Sequence, residues 1–424
     1  MFHLIFSNSK PIPMLEAKKK KIVNDPVHGF INISFPLSFA IIEHPFFQRL
    51  RHIRQLGLTY LVYPGANHTR FQHALGAMHL MESAIDVLRA KGLNITEQET
   101  EAAIAAILLH DIGHGPFSHS LEYSLALGIS HERIGQCFMR EMNKQFEGRL
   151  DMAIDIFEGT YPKRFLHQLV SSQLDVDRMD YLRRDSFFTG VTEGAIGSDR
   201  IIKMLNVVDD NLVVEAKGIY SIEKFLIARR LMYWQVYLHK TVVAAEQLLI
   251  QLLNRARELA EGSDDLWCSP SLLYFLKHKV VVSDFLQPLS SDSALYHFTN
   301  IDDADILVAA KQWQYHHDKA LSTLAQMMVL RKLYKVELRN NPFNEQEVSE
   351  KMEQFHRTYP ELGNYSRYFV ITNSVSNNAY RSTEESIKIL YNDGRLIDID
   401  NASDMLNTNV LSKDITKYFL CYAK

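Results

Sequence analysis

Residues 107–120 read ILLHDIGHGPFSHS, an apolar run that ends in three histidines and one aspartate separated mostly by small residues. These titratable positions are His110, Asp111, His114 and His119. Imidazole nitrogens and carboxylate oxygens together are typical ligands of a divalent cation. Neighbours in a helix diverge by about 100°, but at a helix end followed by Gly113 the side chains of His110 and Asp111 can point at one ion. The stretch therefore predicts a metal site at the end of a buried helix.

Two further stretches supply the ligands that such a site still needs. TRFQHALG at 69–76 offers His73 near the start of another predicted helix, and SSQLDVDRMDYLRRD at 171–185 offers Asp177. Two histidines and two aspartates would leave coordination positions open for water and substrate. Each histidine alone has an ordinary alternative, as a hydrogen-bonded core or surface residue. The prediction therefore depends on the combination of all four residues.

The composition excludes several classes of function. The 424-residue chain is 46% hydrophobic and 23% charged, with a formal net charge of -4, so it can bury a sizeable core and carries no global field for nucleic acid or membranes. The lysine run at 18–21 is typical of a solvated tail. Cys137, Cys268 and Cys421 lack close spacing, which argues against a disulfide framework and predicts a cytoplasmic location. No stretch approaches about 20 uninterrupted apolar residues, and Met14 is an alternative to Met1 as the start.

Hydrophobic periodicity predicts a mainly α fold with a smaller α+β lobe at its C-terminal end. Helical patterns dominate from about residue 35 to 290, including a stretch at 221–261 without Gly or Pro that predicts one long helix or two nearly continuous ones. Strand patterns follow in LYKVELR, YFVITNS, IKILYNDGRLIDID and KYFLCYA, and Asp393-Gly394 predicts a hairpin turn. We predict an N-terminal tail at 1–20, a helical core at 21–290 and the α+β lobe at 291–424.

His73, the doublet His110-Asp111 and the distant Asp177 resemble the H…HD…D pattern of the HD-domain metal-dependent phosphohydrolases. Longer stretches are similar to the catalytic core of the SAM-and-HD-domain dNTP triphosphohydrolases and their bacterial dNTPase and dGTPase relatives. These stretches are NDPVHGFI (24–31), FQRLRHIRQLG (47–57), PGANHTRFQHALG (64–76), LLHDIGHGPFSH (108–119) and LDVDRMDYLRRD (174–185). The similarity is strong from about residue 20 to 245 and faint beyond 290. It implies an HD-domain helical core with one divalent metal ion, for which Mn, Fe, Mg and Zn are all compatible.

The resemblance also implies a role for each matching residue. The implied metal ligands are His73, His110, Asp111 and Asp177. The implied residues of the catalytic pocket are His114, His119, Glu122 and His131, where His131 would protonate the leaving oxygen. Phosphate contacts fall to Arg70, Arg178 and Arg229, deoxyribose contacts fall to Gln55, Leu56, Tyr181, Asp185 and Tyr237, and Tyr233 falls at a further substrate-binding position.

Residue spacing supports part of this assignment independently. Asp177, Tyr181 and Asp185 stand at i, i+4 and i+8, which places a metal ligand and two proposed sugar contacts on one helix face. Arg229, Tyr233 and Tyr237 repeat that spacing on the long helical stretch. A buried aromatic stripe with a snorkelling arginine is the alternative interpretation of this second trio.

The chain departs from the pattern of the animal enzymes at several positions. Glu122 stands in place of an aspartate, Arg178 in place of a lysine, and Tyr233 in place of a histidine near the triphosphate. Lys21, Gln48 and Arg51 match positions of an allosteric guanine-nucleotide site, where Glu43 replaces an aspartate. The alternative is that QRLRHIRQ forms only a charged helix face.

We therefore expect a metal-dependent enzyme that converts a dNTP to a deoxynucleoside and inorganic triphosphate, open to activation by GTP or dNTP. Two alternatives remain: hydrolysis of another phosphoester, such as a nucleoside monophosphate or cyclic nucleotide, and a nucleotide-sensing regulator with little turnover. Nucleic acid is not an expected partner, because the basic residues form no stripe with interleaved aromatics. The resemblance implies a homo-oligomer, either a dimer or a tetramer.

Overall fold

The structure is a computed structural model that describes residues 21–118, 128–262, 265–377, 386–404 and 415–424. The chain is mainly helical. Its α-helices are α1 Pro36–Glu43, α2 Pro45–Gln48, α3 Arg70–Ala90, α4 Glu97–Leu109, α5 His131–Gln145, α6 Asp151–Glu158, α7 Arg164–Val170, α8 Val176–Thr189, α9 Ser198–Met204, α10 Ile219–Met232, α11 Lys240–Glu261, α12 Pro270–Lys277, α13 Val282–Phe285, α14 Ala294–Thr299, α15 Asp303–Trp313, α16 Lys319–Val329, α17 Glu345–Thr358 and α18 Ile399–Ala402.

Three small sheets accompany the helices in the described ranges. The strands are β1 Lys21–Asp25, β2 Gly29–Ile33, β3 Leu205–Val208, β4 Asn211–Glu215, β5 Lys335–Arg339, β6 Val370–Asn377, β7 Lys388–Leu390, β8 Leu396–Asp398 and β9 Ile415–Tyr422. β1 and β2 form a hairpin, and β5, β9 and β6 form an antiparallel sheet in that order. The four-stranded sheet has the order β3-β4-β7-β8, with β4 and β7 parallel. This sheet contains strands from both sides of residue 290, the predicted boundary between core and lobe. The boundary itself stays a prediction.

Helix α4 contains the apolar part of the stretch 107–120 and ends next to His110. Thr96 and Glu99 form a capping box, in which Glu99 N donates to Thr96 Oγ1 at 3.1 Å and Thr96 N donates to Glu99 Oε2 at 2.8 Å. Ala103 and the residues that follow it in the helix are buried, and α4 packs against α3. The helix ends at Leu109, so His110 lies at its C-terminal end as the sequence predicted.

The long helical stretch at 221–261 forms two nearly continuous helices, as its periodicity predicted. Helices α10 and α11 are joined through a π-helical turn at Tyr233–Tyr237, which lies beside the pocket described below. Single π-helical turns of this kind occur often at functional sites. The predicted hairpin is also present, because β7 pairs with β8 and Gly394 has a φ of +85°. Within the described ranges, no helix is both long enough and apolar enough to span a bilayer.

Helices α3 and α8 approach closely at Gly76. A Cβ atom on this residue would lie 2.0 Å from Asp180 Oδ1 and 2.2 Å from Arg184 Nη2, both of them buried side chains. A real carbon atom cannot occupy that position unless the two helices or the two side chains move apart. The absence of a side chain at Gly76 therefore sets the distance between the helices that carry His73 and Asp177.

We expect Gly76→Ala to lower the free energy of unfolding by about 1–3 kcal/mol, the usual cost of overpacking a core. Gly135→Ala is the matched control, because Gly135 also lies in a helix and its added Cβ would lie 3.7 Å from the nearest described neighbour. That control should be neutral or slightly stabilising. Urea denaturation of both variants measures the difference, and equal midpoints would contradict the packing argument.

Candidate metal centre and substrate pocket

The four side chains predicted as metal ligands converge in the structure. His73 comes from α3, His110 and Asp111 follow α4, and Asp177 lies in the first turn of α8. His73 Nε2 lies 3.0 Å from Asp177 Oδ1 and 3.2 Å from His110 Nε2. His110 Nε2 lies 3.5 Å from Asp177 Oδ1 and 3.4 Å from Asp111 Oδ1. Residues separated by more than 100 positions in the chain therefore present their donor atoms to one point.

These distances suit a shared divalent cation. Nitrogen and oxygen ligands lie about 2.0–2.2 Å from such an ion, which places neighbouring ligand atoms roughly 3 Å apart. His73, His110 and Asp177 form one group of donors that could hold a metal. Asp111 lies beside it, with Oδ1 3.4 Å from His110 Nε2, and also forms a second such group with His114 and His131. The donors are two imidazoles and two carboxylates, a mixed set that several divalent metals accept. The residues present therefore fit the metal that the sequence implied.

Both imidazoles are oriented by hydrogen bonds on the side away from this point. His73 Nδ1 lies 2.8 Å from Asp180 Oδ2, and His110 Nδ1 lies 2.6 Å from the carbonyl oxygen of Ile107. An acceptor at Nδ1 holds the ring proton there and leaves the Nε2 lone pair available for a cation. This arrangement is the usual outer support of metal-binding histidines, and it fixes both ring orientations before a metal binds.

Asp180 belongs to a fully buried ionic network that sequence reasoning missed. Arg184 Nε donates to Asp180 Oδ2 at 2.8 Å, and Arg184 Nη1 donates to Asp25 Oδ2 at 2.8 Å. His28 Nε2 lies 2.6 Å from Asp180 Oδ1. Burial alone would raise the pKa of Asp180, but Arg184 and the hydrogen bonds from the two histidines hold it well below the ordinary value. Asp25 and His28 lie in NDPVHGFI, so the hairpin β1-β2 supports His73 through Asp180.

The electrostatics of the cluster favour a cation. Burial opposes ionisation of Asp177, yet hydrogen bonds from His110 and His73 lower its pKa well below the ordinary value. Burial likewise opposes the charged form of His73, but hydrogen bonds to Asp177 and Asp180 raise its pKa to about 10. The carboxylates are therefore ionised, and without a metal the imidazoles attract protons to balance them. A divalent cation can replace those protons.

We expect metal binding to release protons and to strengthen as pH rises. Because its pKa is raised to about 10, the metal-free imidazole of His73 holds a second ring proton at neutral pH, and the metal must displace that proton from Nε2. The apparent affinity should rise by up to about tenfold per pH unit for each proton released. Calorimetric titration of Mn²⁺ between pH 6.5 and 8.5, in buffers of different ionisation enthalpy, counts these protons. An affinity independent of pH would contradict this account.

One cavity of about 400 Å³ adjoins the cluster. This volume is within the usual range for a small-molecule site. The cavity is lined by Gln55, Leu56, Gly57, Thr59, Arg70, Asp111, His114, Phe117, Ser118, His131, Asp177, Arg178, Tyr181, Asp185, Tyr233, Tyr237, Leu238 and Glu246. Most of the residues predicted to contact substrate are therefore brought together beside two of the predicted metal ligands.

Basic and imidazole groups line the part of the cavity nearest the cluster. Arg70 pairs with Asp111 through Nη1 and donates from Nε to Ser118 Oγ at 3.1 Å. Arg178 pairs with the buried Asp175. The rings of His114 and His131 lie 3.8 Å apart between centroids, because a Cβ on Gly113 would meet the carbonyl oxygen of His131 at 2.0 Å and the loop therefore packs directly on α5. Cationic and titratable groups thus surround one end of the cavity.

Tyrosines and a carboxylate line another part of the wall. Tyr237 donates its hydroxyl hydrogen to Asp185 Oδ2 at 2.7 Å, and Asp185 Oδ1 lies 2.7 Å from His68 Nε2. Burial raises the pKa of Tyr237 well above its usual value, and it also raises the pKa of Tyr181. Both hydroxyls therefore keep their protons. The ring of Tyr237 is held at a fixed position by its bond to Asp185 and by an edge contact with Tyr233.

One predicted phosphate contact does not line the cavity. Arg229 is buried, donates to Gln173 Oε1 at 3.2 Å, and is absent from the described residues that line the cavity. His119 and Glu122 lie outside the described residues.

The four residues predicted for an effector site are also absent from that lining. Gln48 accepts a hydrogen bond from Arg51 Nε at 2.7 Å, Lys21 lies over the ring of Phe39, and Glu43 is exposed. Their role as an effector site stays a prediction.

Sequence reasoning also missed the support of the loop between His110 and His114. Arg49 is buried and donates to the carbonyl oxygens of Ile112 at 2.7 Å and His114 at 2.8 Å. Glu246 of α11 lines the cavity as well. Arg49 lies within FQRLRHIRQLG, beside the residues assigned to the effector site. The repeated basic residues of that stretch are the one feature of the sequence that could have indicated its role.

Comparison with known proteins accounts for this arrangement. Residues 70–185 match the HD domain, and residues 196–265 match the HD associated region. The matched segment 70–185 contains all four converging ligands. The chain belongs to the HD-domain phosphohydrolase family. A crystal structure of a phosphohydrolase from Bacteroides thetaiotaomicron is 54% identical, superposes with a TM-score of 0.92, and is matched over 96% of this chain and 100% of its own.

Other relatives are more distant. The Bacillus subtilis protein YwfO is 30% identical over 97% of this chain and 94% of its own length. Deoxynucleoside triphosphate triphosphohydrolase SAMHD1 of Homo sapiens is 31% identical over 61% of this chain and 48% of its own length. The SAMHD1 homolog of Dictyostelium discoideum is 31% identical over 59% of this chain and 52% of its own length. This HD-domain phosphohydrolase thus spans about half of each named triphosphohydrolase.

Proposed function

We propose that the protein is a metal-dependent dNTP triphosphohydrolase, which converts a dNTP to a deoxynucleoside and inorganic triphosphate. The proposal rests on three features that adjoin one cavity. They are the candidate metal cluster, a basic rim formed by Arg70 and Arg178, and the hydrogen-bonded pair of Tyr237 and Asp185. Two relatives at 31% identity are named as enzymes of this reaction class. The basic rim suits phosphates, and the tyrosine wall suits a sugar without a 2′ hydroxyl.

The side chains of this pocket can each serve a step of that reaction. A divalent ion held by the cluster would supply Lewis-acid chemistry toward a phosphoryl oxygen and water. Arg70 and Arg178 neutralise phosphate charge at the rim. Water adds to the α-phosphorus, the bond from that phosphorus to the 5′ oxygen breaks, and His131 gives a proton to the departing oxygen. The water proton passes to the surrounding carboxylates or solvent, so atoms and charge balance.

Product analysis of the purified protein with each dNTP and NTP in the presence of Mn²⁺ or Mg²⁺ tests the proposal. The expected result is release of deoxynucleoside with an equal amount of triphosphate, absent in Asp111→Asn. Release of dNMP or orthophosphate from dNTPs would contradict it. Tyr233 stands where the animal enzymes have a histidine near the triphosphate, so nucleoside monophosphates and cyclic nucleotides belong in the same substrate panel.

We expect Tyr237→Ala to reduce discrimination between dNTP and NTP. The ring of Tyr237 is fixed by Asp185 and would meet a 2′ hydroxyl, so its removal should lower the ratio of kcat/KM values for dNTP over NTP about tenfold or more. Tyr237→Phe is the intermediate comparison, since it keeps the ring and loses the bond to Asp185, and it should lower the ratio less than Tyr237→Ala does. An unchanged ratio in Tyr237→Ala would show that another residue selects the sugar.

We also propose that a nucleotide effector acts through Lys21, Glu43, Gln48 and Arg51, and that the protein forms a dimer or tetramer. The support is the match of this stretch to an effector site and the proximity of Gln48 to Arg51. Light scattering with and without GTP or dNTP tests both parts. A mass that equals one chain under every condition would contradict the oligomer.

A further inference from the structure

Asp303, the first residue of α15, reaches from the C-terminal part of the chain into the wall of the pocket. Its carboxylate is buried and accepts three hydrogen bonds. Oδ1 accepts from the backbone N–H of Phe117 at 2.8 Å. Oδ2 accepts from Arg54 N at 3.1 Å and from Arg54 Nη1 at 3.3 Å. The two donor residues are separated from Asp303 by 186 and 249 positions in the chain.

Both donor residues belong to segments that line the cavity. Gln55, Leu56, Gly57 and Thr59 follow Arg54 closely and line the cavity, and Phe117 and Ser118, which follow the loop between His110 and His114, line it as well. The two segments contact each other, because a Cβ on Gly57 would lie 3.0 Å from the carbonyl oxygen of Phe117. One carboxylate thus fixes the relative position of two walls.

The backbone at 117–118 needs such support. Phe117 and Ser118 have φ values of 52° and 57°, in the left-handed region that side chains other than glycine disfavour by about 1–2 kcal/mol. Ser118 also contacts Arg70, one of the residues proposed to bind phosphate. Its Oγ accepts from Arg70 Nε at 3.1 Å and donates to the carbonyl oxygen of Arg54 at 3.1 Å. Ser118 therefore links the segment that begins at Arg54 to Arg70, a basic residue that lines the cavity.

A second contact from the same part of the chain holds the other end of the wall segment. Arg331 donates from Nε and Nη2 to the carbonyl oxygen of Leu61 at 3.0 and 2.8 Å. The segment 54–61 is therefore anchored at its start by Asp303 and at its end by Arg331. Asp303 begins α15 and Arg331 follows α16 closely; these two helices pack against each other, and α16 packs against α11.

We propose that Asp303 is a positioning residue for the substrate pocket, and that helices α15 and α16 form a scaffold that sets the geometry of the wall at 54–61 and 117–118. The kinetic part of this proposal rests on the proposed function. Asp303 is not among the described residues that line the cavity, and it contacts none of the metal ligands. It acts through Arg54 and Phe117 on the substrate, and it leaves the donor atoms of the metal cluster in place.

The variant Asp303→Asn is the informative one, because an asparagine side chain would not reproduce these contacts. An amide offers one acceptor oxygen and turns its NH₂ group toward N–H donors on the other side. At least one wall segment then loses its bond in a buried place. Asp302→Ala is the matched control, because Asp302 is the adjacent residue and caps the same helix by accepting from Ala304 N at 2.7 Å. It should destabilise the helix start and leave the wall unchanged.

The experiment compares wild type, Asp303→Asn, Asp302→Ala and Arg331→Ala in steady-state hydrolysis of a dNTP, in Mn²⁺ affinity and in amide hydrogen exchange over 50–61 and 110–118. We expect Asp303→Asn to raise KM about tenfold or more while kcat changes less and Mn²⁺ affinity stays at the wild-type value. Exchange should accelerate at Arg54 and Phe117. Arg331→Ala should accelerate exchange near Leu61.

Three outcomes would overturn the proposal: wild-type KM and exchange in Asp303→Asn, equal effects in Asp302→Ala, or a loss of Mn²⁺ affinity that accounts for the kinetic defect. If wild type hydrolyses no dNTP, the proposed function fails separately. Exchange in the absence of nucleotide then decides the positioning role, together with binding of inorganic triphosphate in the presence of Mn²⁺. Faster local exchange and weaker triphosphate binding in Asp303→Asn alone would support it.

Discussion

The variant Asp177→Asn should lose at least roughly 10³-fold in kcat/KM, because a correctly held metal contributes several kcal/mol to the stability of a charged transition state. Asp177 Oδ1 faces both His73 Nε2 and His110 Nε2, so it is the shared oxygen of the cluster. An amide keeps the shape of the side chain and removes its charge. The fold should persist, and the bound metal should be lost or weakened.

Asp199→Asn is the matched control for this loss. Asp199 lies on the neighbouring helix α9, and its side chain is 78% exposed with a long contact of 3.7 Å to Arg183. Metal content by mass spectrometry and steady-state rates should match wild type in this control. A metal-loaded and fully active Asp177→Asn variant would remove Asp177 from the catalytic machinery.

The variant Arg184→Met should have the largest effect on stability. Arg184 is fully buried and bridges two buried carboxylates, Asp180 and Asp25. Removing one partner of a buried ionic group typically costs about 3–5 kcal/mol, because charges remain buried without compensation. His28 and His73 still contact Asp180, but their bonds do not replace the two guanidinium contacts.

Arg395→Met is the control for that prediction. Arg395 and Asp393 form an exposed pair that solvent screens, so its loss should leave the free energy of unfolding nearly unchanged. Urea denaturation gives the free energy of unfolding for both variants. Arg184→Met should also weaken Mn²⁺ binding roughly 10–100-fold, since Asp180 orients His73. Equal denaturation midpoints for the two variants would mean that the buried network is not a main source of stability.

The convergence of His73, His110, Asp111 and Asp177 could be anticipated from the sequence for a local reason. His110 and Asp111 stand where an apolar helical run ends, and Asp177 repeats with Tyr181 and Asp185 at helical spacing. Local periodicity therefore predicts which helix end and which helix face present the candidate metal ligands and substrate contacts. Only the resemblance to HD-domain proteins indicated that His73 would face the same point, because the chain pattern alone does not pair two distant helices.

The supporting residues could not be predicted in the same way. Asp180 follows Asp177 by three residues. Its role depends on contacts with His73, His28 and Arg184, and the first two of these residues lie in other elements. Asp303 is a further case, because an aspartate at the first turn of a helix has an ordinary explanation as a favourable charge at a helix start. Its bonds to Arg54 and Phe117 depend on tertiary packing.

The sheets likewise contain pairings that the sequence predicts and pairings that it does not. Asp393-Gly394 specifies a tight turn by local backbone preference, and the hairpin β7-β8 forms there. The parallel pairing of β4 with β7 joins segments about 175 residues apart, and no local signal announces it. The hairpin β1-β2 was likewise not anticipated, although its turn carries Asp25 and His28 toward Asp180.

The central claim is that water attacks the α-phosphorus of a dNTP in this pocket and displaces the 5′ oxygen of the deoxynucleoside. The most direct measurement is hydrolysis in water enriched in ¹⁸O, with mass analysis of every product. The account predicts one ¹⁸O atom in the released triphosphate and none in the deoxynucleoside. Label in dNMP, pyrophosphate or orthophosphate, or label in the 5′ hydroxyl of the deoxynucleoside, would contradict it.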